Sequence, residues 1–235
     1  MTETKIALVT GANKGIGYEI AAQLAALGMT VVIGARDAHR REQAAKELNA
    51  ESVALDVTEP ETARQAAAWI DERFGKLDVL VNNAGITGGW GQEPSKVPLD
   101  VMRRVFDTNV FGVITVTNAV LPLLSRSAGA RIVNVSSGVG SLTEMTGQYA
   151  AMPAGAAYPV SKTALNALTV QYAKELRESG ILVNATDPGY CDTDLTEHKG
   201  FRTPAQGAAI SVRLATIGDD GPTGRFFNDE GEVAW

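Results

Sequence analysis

The chain has 235 residues, with 21 lysines and arginines against 27 aspartates and glutamates, for a formal charge of −6. Hydrophobic residues make up 45% and charged residues 20%, which excludes a disordered chain and a disulfide-stapled miniprotein. An acidic chain without a lysine–arginine stripe is poorly built for nucleic acid. Two histidines and one cysteine, Cys191, give no zinc-ligand spacing.

In chain order, short apolar runs alternate with longer amphipathic or alanine-rich runs. Strands are predicted at 6–9, 30–34, 52–55, 79–82, 131–136, 182–186 and 224–227. Helices are predicted at 15–27, 39–48, 61–74, 99–124, 158–179 and 204–215. Strands alternating with helices read as repeated βαβ units: an α/β fold with a doubly wound parallel sheet of about seven strands. Runs such as VLVNN and RIVNVS barely alternate, as expected of strands buried on both faces. At roughly 150 residues per domain the length allows one or two domains. No linker divides the chain, so residues 1–235 read as one domain. The loosest stretches, 85–98 and 138–157, are candidate loops over a site. Cys191 has no intrachain disulfide partner, which fits a reducing compartment. No apolar stretch reads as approaching the ~20 residues that span a bilayer. Met1 to Lys5 runs into a strand without leader architecture. The expectation is a cytoplasmic protein without membrane partners.

The first strand leads into Thr10-Gly11-Ala12-Asn13-Lys14-Gly15-Ile16-Gly17 and then a helix. Glycines here permit a tight turn and close approach of backbone to a phosphate, and the helix N-terminus supplies free N–H donors. The spacing is G-x3-G-x-G rather than the commoner G-x-G-x-x-G; a purely structural turn is the alternative. Further on come Asn82-Asn83-Ala84-Gly85, a strand tipped by Ser136-Ser137, Tyr158-Pro159-Val160-Ser161-Lys162, and Pro188-Gly189 followed by Thr193. In motif order and over nearly its whole length, the chain resembles the short-chain dehydrogenase/reductase family. The wording TGANKGIG is most similar to its carbonyl-reductase-like branch.

That resemblance implies a Rossmann-type fold in which Gly11, Asn13, Lys14, Gly15, Ile16 and Gly17 cradle a dinucleotide. NAD-binding relatives carry an acid at the end of the second strand. Here Ala35 holds that position and Arg36 follows. A guanidinium can form bidentate bonds to a 2′-phosphate, and Lys14 adds a second cation, so the expected cofactor is NADP(H). Asp37 is expected to point into the following helix start. The resemblance places Asp56 and Val57 beside the adenine, although Asp56 also reads as a cap for the helix after Pro60. Asn83, Ala84 and Gly85 are expected cofactor contacts, with Asn82 mainly structural.

Tyr158 and Lys162, four apart, share one face of a helix, provided that Pro159 sits in its first turn. By resemblance, Tyr158 gives a proton to a carbonyl oxygen as hydride reaches the carbon. Lys162 pulls the tyrosine below its ordinary pKa of about 10 and holds the nicotinamide ribose. Ser137 donates to the carbonyl oxygen, with Ser136 as the alternative. Asn109 orders a water that links Lys162 to solvent. Pro188, Gly189 and Thr193 meet the nicotinamide end. The implied activity is NADPH-dependent reduction of a ketone or aldehyde. Two alternatives are an NADP-sensing regulator without chemistry and a reductase of a carrier-bound 3-oxoacyl group.

Ser137 and Tyr158 lie 21 positions apart, more than in plain members of the family. Such an insertion covers the helix face through which tetrameric members associate, which favours a monomer or dimer. Pocket walls are expected from 86–97, 142–157 and 190–201, with a small lid after Thr193.

Overall fold

A computed structural model describes residues 4–235; residues 1–3, part of the segment read as lacking a leader, lie outside them. Seven strands form one parallel sheet: β1 (Ile6–Thr10), β2 (Thr30–Ala35), β3 (Glu51–Ala54), β4 (Val79–Asn82), β5 (Arg131–Val135), β6 (Leu182–Thr186) and β7 (Phe226–Phe227). Their order is β3-β2-β1-β4-β5-β6-β7. Strand order reverses between β1 and β4, and ligands of such sheets bind beyond the strand C-termini at that switch point.

The helices are α1 (Gly15–Ala26), α2 (Ala38–Leu48), α3 (Pro60–Phe74), α4 (Leu99–Phe106), α5 (Gly112–Leu124), α6 (Leu142–Thr146), α7 (Ala157–Glu175) and α8 (Pro204–Ala215). Their starts follow local chemistry. Asp37 accepts a hydrogen bond from the Arg40 N–H at the head of α2. Pro60 opens α3, and Thr203 with Gln206 forms a capping box at α8. Pro159 is the third residue of α7, where its missing N–H costs no helical bond.

Successive residues of β1 feed opposite cores, as the period of two requires. Ile6 and Leu8 pack with α3, α5 and α7 through Ile70, Val120 and Tyr172. Ala7 and Val9 pack with α1, α2 and α8 through Ile20, Ala44 and Ala208. The sheet is therefore covered on both faces, with solvent reaching the strand ends and the edge strand β3.

Several boundaries differ from the sequence reading. Ser136 lies beyond β5, and β7 has only two residues. The helix expected over 158–179 ends at Glu175, followed by a tight turn at Arg177–Ser179. Helix α6 falls inside a stretch read as loose. Its signal was present: Ser141 accepts from the Glu144 N–H at 3.0 Å, a cap with an acid three residues on. The expectation of no spanning-length apolar stretch also needs correction. Leu99–Leu124 runs as one 26-residue helix whose most apolar window has a mean hydropathy of 1.3. Half of that window is buried inside the fold, so here it is a core helix. One turn of π-helix, Asp107–Phe111, joins α4 to α5, and Asn109 sits within it.

A polar seam crosses the apolar core. Asn82 donates to Asn134 Oδ1 at 2.9 Å, joining β4 to β5 as its structural reading anticipated. Asn134 donates in turn to Thr169 of α7 at 2.8 Å. All three side chains are buried. Asn134→Ala should therefore cost about 1–3 kcal/mol, measured as a lowered denaturant midpoint with an unchanged slope; wild-type stability would mean that the seam contributes nothing.

Candidate active site

The turns after β1, β4, β5 and β6 open into one cleft of about 1410 Å³. The glycine loop forms one wall. Gly11 and Gly15 have φ of +65° and +58°, in the left-handed region. A Cβ on Gly11 would sit 3.0 Å from the Ala84 Cα, and one on Gly17 would strike the Asn83 amide and lie 2.7 Å from the Gly11 oxygen. Thr10 Oγ1 accepts from the N–H groups of Asn83 and Ala84, each at 3.0 Å, while Asn83 Nδ2 donates to the Thr10 carbonyl at 2.9 Å. The first and fourth turns are thus locked together, and the loop lines the cleft with backbone. That cradle fits a dinucleotide pyrophosphate.

Arg36 and Lys14 both line the same cleft. Arg36 is largely exposed, 3.9 Å from Asp56. Lys14 pairs with Asp194 across the cleft. Asp56 does not cap α3: Glu59 holds that position, and Asp56 Oδ1 accepts from the Thr58 N–H at 3.0 Å and its hydroxyl at 2.7 Å. Val57 packs so near Gly112 that a Cβ there would lie 2.7 Å away. Asn13, Ile16, Gly85, Pro188 and Gly189 also line the cleft. Thr193 comes beside the glycine loop, with its methyl 3.5 Å from where a Gly15 Cβ would be.

At the other end Tyr158 and Lys162 face inward from the first turns of α7, both buried. Lys162 Nζ lies 5.6 Å from the Tyr158 ring centre and donates to the Val135 carbonyl at 2.8 Å. Burial pulls the Lys162 pKa down to about 8. Ser137 beside Tyr158 favours the phenolate, but burial outweighs this and pushes the Tyr158 pKa up, with the Asp187 charge acting in the same direction. This corrects the expectation that Lys162 brings Tyr158 below its ordinary value.

Both serines border the cleft, but their side chains differ. The Ser136 hydroxyl turns into the core and donates to Asn166 Oδ1 at 2.6 Å, whereas Ser137 stands beside Tyr158. Asn109 is engaged on three sides. Its oxygen accepts from the Ile86 N–H, and its amide donates to the Ile86 carbonyl and the Ser161 hydroxyl, all between 2.9 and 3.0 Å. Ser161 donates on to the Tyr158 carbonyl at 2.7 Å. A Cβ on Gly85 would sit 3.4 Å from Asn109 Oδ1 and 3.6 Å from Lys162 Nζ, so both atoms border one small space.

The expected walls all contribute, through Ile86 and Trp90, through Tyr149 and Met152, and through Tyr190 and Phe201. Sequence reasoning missed Asn228, Asp229 and Glu230, which line the cleft from beyond α8. It placed Trp90 in the 86–97 wall but did not foresee that its ring meets Tyr158 edge-on at 5.7 Å. A lone tryptophan in a glycine-rich loop was the available signal. Cys191 is buried and donates to the Pro188 carbonyl at 3.3 Å; burial pushes its thiol up, away from a reactive thiolate.

The model of the short chain dehydrogenase family matches residues 5–202. The short-chain dehydrogenase anuI of Penicillium roqueforti is 36% identical over 250 residues, covering 98% of this chain and 97% of its own. Carbonyl reductase [NADPH] 1 of Rattus norvegicus is 33% identical over 282 residues, covering 100% and 99%. The NADPH-bound carbonyl reductase from chicken fatty liver superposes with a TM-score of 0.87 at 31% identity, covering 99% of this chain and 100% of the other. The chain belongs to the short-chain dehydrogenase family, as an oxidoreductase with carbonyl reductases among its relatives.

The distinct settings of the two serines give a test by stability alone. Ser136→Ala leaves Asn166 Oδ1 without its donor in the core and should cost about 1–3 kcal/mol. Ser137→Ala should stay within about 0.5 kcal/mol of wild type. Equal effects in urea unfolding would contradict the assignment.

Proposed function

We propose that this protein is an NADP(H)-dependent carbonyl reductase acting on small ketones or aldehydes. The observation that carries the reading is the convergence of Tyr158, Ser137 and buried Lys162 at one end of a glycine-walled cleft whose other end holds Arg36 and Lys14. NADPH, held by the glycine loop, Val57, Asn83, Ala84, Gly85, Pro188, Gly189 and Thr193, would supply the hydride. The rat carbonyl reductase [NADPH] 1 and the NADPH-bound chicken carbonyl reductase support that choice.

Ser137 orients the carbonyl oxygen toward Tyr158 and donates to it as charge develops. Tyr158, kept protonated by its burial, gives up its hydroxyl proton to that oxygen. Lys162 stands beside the ring and favours the phenolate that results. Asn109 clamps the Ile86 backbone to Ser161. Together with Lys162 it borders the space beside Gly85; a water held there would return a proton from solvent. Asp56 flanks the adenine while keeping its turn with Thr58.

Two rival readings lose support. A regulator without chemistry has no need of a convergent Tyr158 and Lys162. Docking a carrier protein calls for free basic groups at the mouth, but Lys199 pairs with Glu197 and Arg202 with Asp229. We also propose a cytoplasmic monomer or dimer, in which the long 138–157 segment would cover the face through which tetrameric members associate.

Tyr158→Phe should reduce kcat by a factor of about 10² or more, as loss of a general acid does, with NADPH binding retained; more than a tenth of wild-type turnover removes Tyr158 from that role. Reduction should be level below pH about 8 and decline above it as Lys162 loses its proton, because Tyr158 itself titrates higher. A profile that rises through that range contradicts these roles.

Arg36 and Lys14 would each meet the 2′-phosphate. Charge-assisted hydrogen bonds contribute about 1.5–3 kcal/mol, so Arg36→Ala should weaken NADPH by roughly ten- to a hundredfold and leave NADH nearly unchanged. Equal weakening of both dissociation constants would show that Arg36 does not read the phosphate.

A further inference from the structure

Asp187 has no part in the chemistry above, yet it follows β6 directly and its half-buried side chain lines the cleft beside Gly138 and Tyr149. Its Oδ1 accepts from the Gly189 N–H at 3.0 Å, and the nearby Gly138 N–H also favours its charged form. Its Oδ2 would lie 2.9 Å from a Cβ on Gly138, and the Tyr149 hydroxyl would lie 3.0 Å from that same point. Gly138 adjoins Ser137, so the carboxylate stands close to where the carbonyl would be held. Its charge also reaches Tyr158 and Tyr149, raising both.

No ion pair of Asp187 forms among the described residues. Arg202 is the cation that acts on it, but that guanidinium is engaged by Asp229 and by the Gln206 carbonyl, and Asp229 adds negative charge. A half-buried carboxylate that shares its one nearby cation with a second carboxylate keeps uncompensated negative charge in the cleft. Negative charge near a carbonyl oxygen that is itself gaining charge also opposes reduction. A positive group on the substrate would relieve both. The rest of the wall suits such a ligand: Trp90, Tyr149, Tyr190 and Phe201 line the cleft, with Tyr190 and Phe201 6.1 Å apart. Aromatic faces attract cations and cover an apolar body.

We propose that Asp187 is a specificity residue that selects carbonyl substrates bearing a protonated amine, held by its carboxylate while the carbonyl faces Tyr158 and Ser137. The proposal rests on the reductase reading above and names its substrate class.

The test uses a matched pair of cyclic ketones, one with a dimethylaminomethyl group and one with the isosteric, neutral isobutyl group. Each is titrated by calorimetry into protein saturated with NADP+, with which no ketone can be reduced. The wild type should bind the ammonium ketone about ten- to a hundredfold tighter, the range for a charge-assisted hydrogen bond. Asp187→Asn should abolish that advantage, with the neutral ketone and the cofactor bound within about threefold of wild type. Equal affinity of the wild type for both ketones, no binding of the ammonium ketone, or equal loss of both in Asp187→Asn overturns the proposal. The wild-type ratio decides even if the variant fails to fold. Turnover of the pair with NADPH is scored separately: its absence alongside a retained affinity ratio counts against the reductase reading and leaves Asp187 as the binder of the cation.

Discussion

The close, polar seam between the end of β5 and helix α7 is the contact on which the active-site arrangement depends. Asn134 bonds Thr169, the Val135 carbonyl receives Lys162 Nζ, and Ser136 bonds Asn166. Asn166 then donates to the Gly140 carbonyl at 3.2 Å. Gly140 has no room for a side chain, since its Cβ would lie 2.8 Å from that of Lys162. These links set the height and rotation of α7, so that Tyr158 in its first turn meets Ser137, the residue after the seam. A purely apolar interface would allow sliding; directional bonds at several successive positions do not.

The seam also explains how a lysine can be buried. Its ammonium loses water, which pulls its pKa down, and gains a backbone carbonyl in exchange. The tyrosine beside it is buried too, and for an acid that is neutral when protonated the same desolvation acts in the opposite direction. Burial therefore draws the two groups toward their neutral forms from both sides, which keeps a proton on Tyr158. Asp187 adds to this, since its negative charge raises the Tyr158 pKa further.

At the cofactor end the logic is steric. The glycine loop is held against the turn after β4 because Asn83 and Thr10 exchange hydrogen bonds, and only glycine at 17 leaves space for that amide. The cations there are exposed and paired with carboxylates, Lys14 with Asp194 and Arg36 near Asp56. Exposed pairs contribute little to stability, so these side chains can exchange partners at small cost.

Much was legible from the sequence because it is written in local chemistry. Alternating strand and helix periods gave the doubly wound sheet, and Pro60 and Asp37 marked helix starts. The glycine spacing, the Asn82–Gly85 motif and the four-residue step from Tyr158 to Lys162 marked the cleft. What the sequence left open depended on contacts between distant segments. Ser136 and Ser137 are alike in composition, and only the packing of α7 turns one into the core and the other to the cleft. The balance of burial against charge at Tyr158 follows from solvent exclusion by many elements at once, so the spacing to Lys162 alone misjudged its direction. The roles of Trp90, Asp187 and residues 228–230 arose in the same way, because strand ends and loops far apart in the chain meet only where the folded sheet brings its C-terminal edge together.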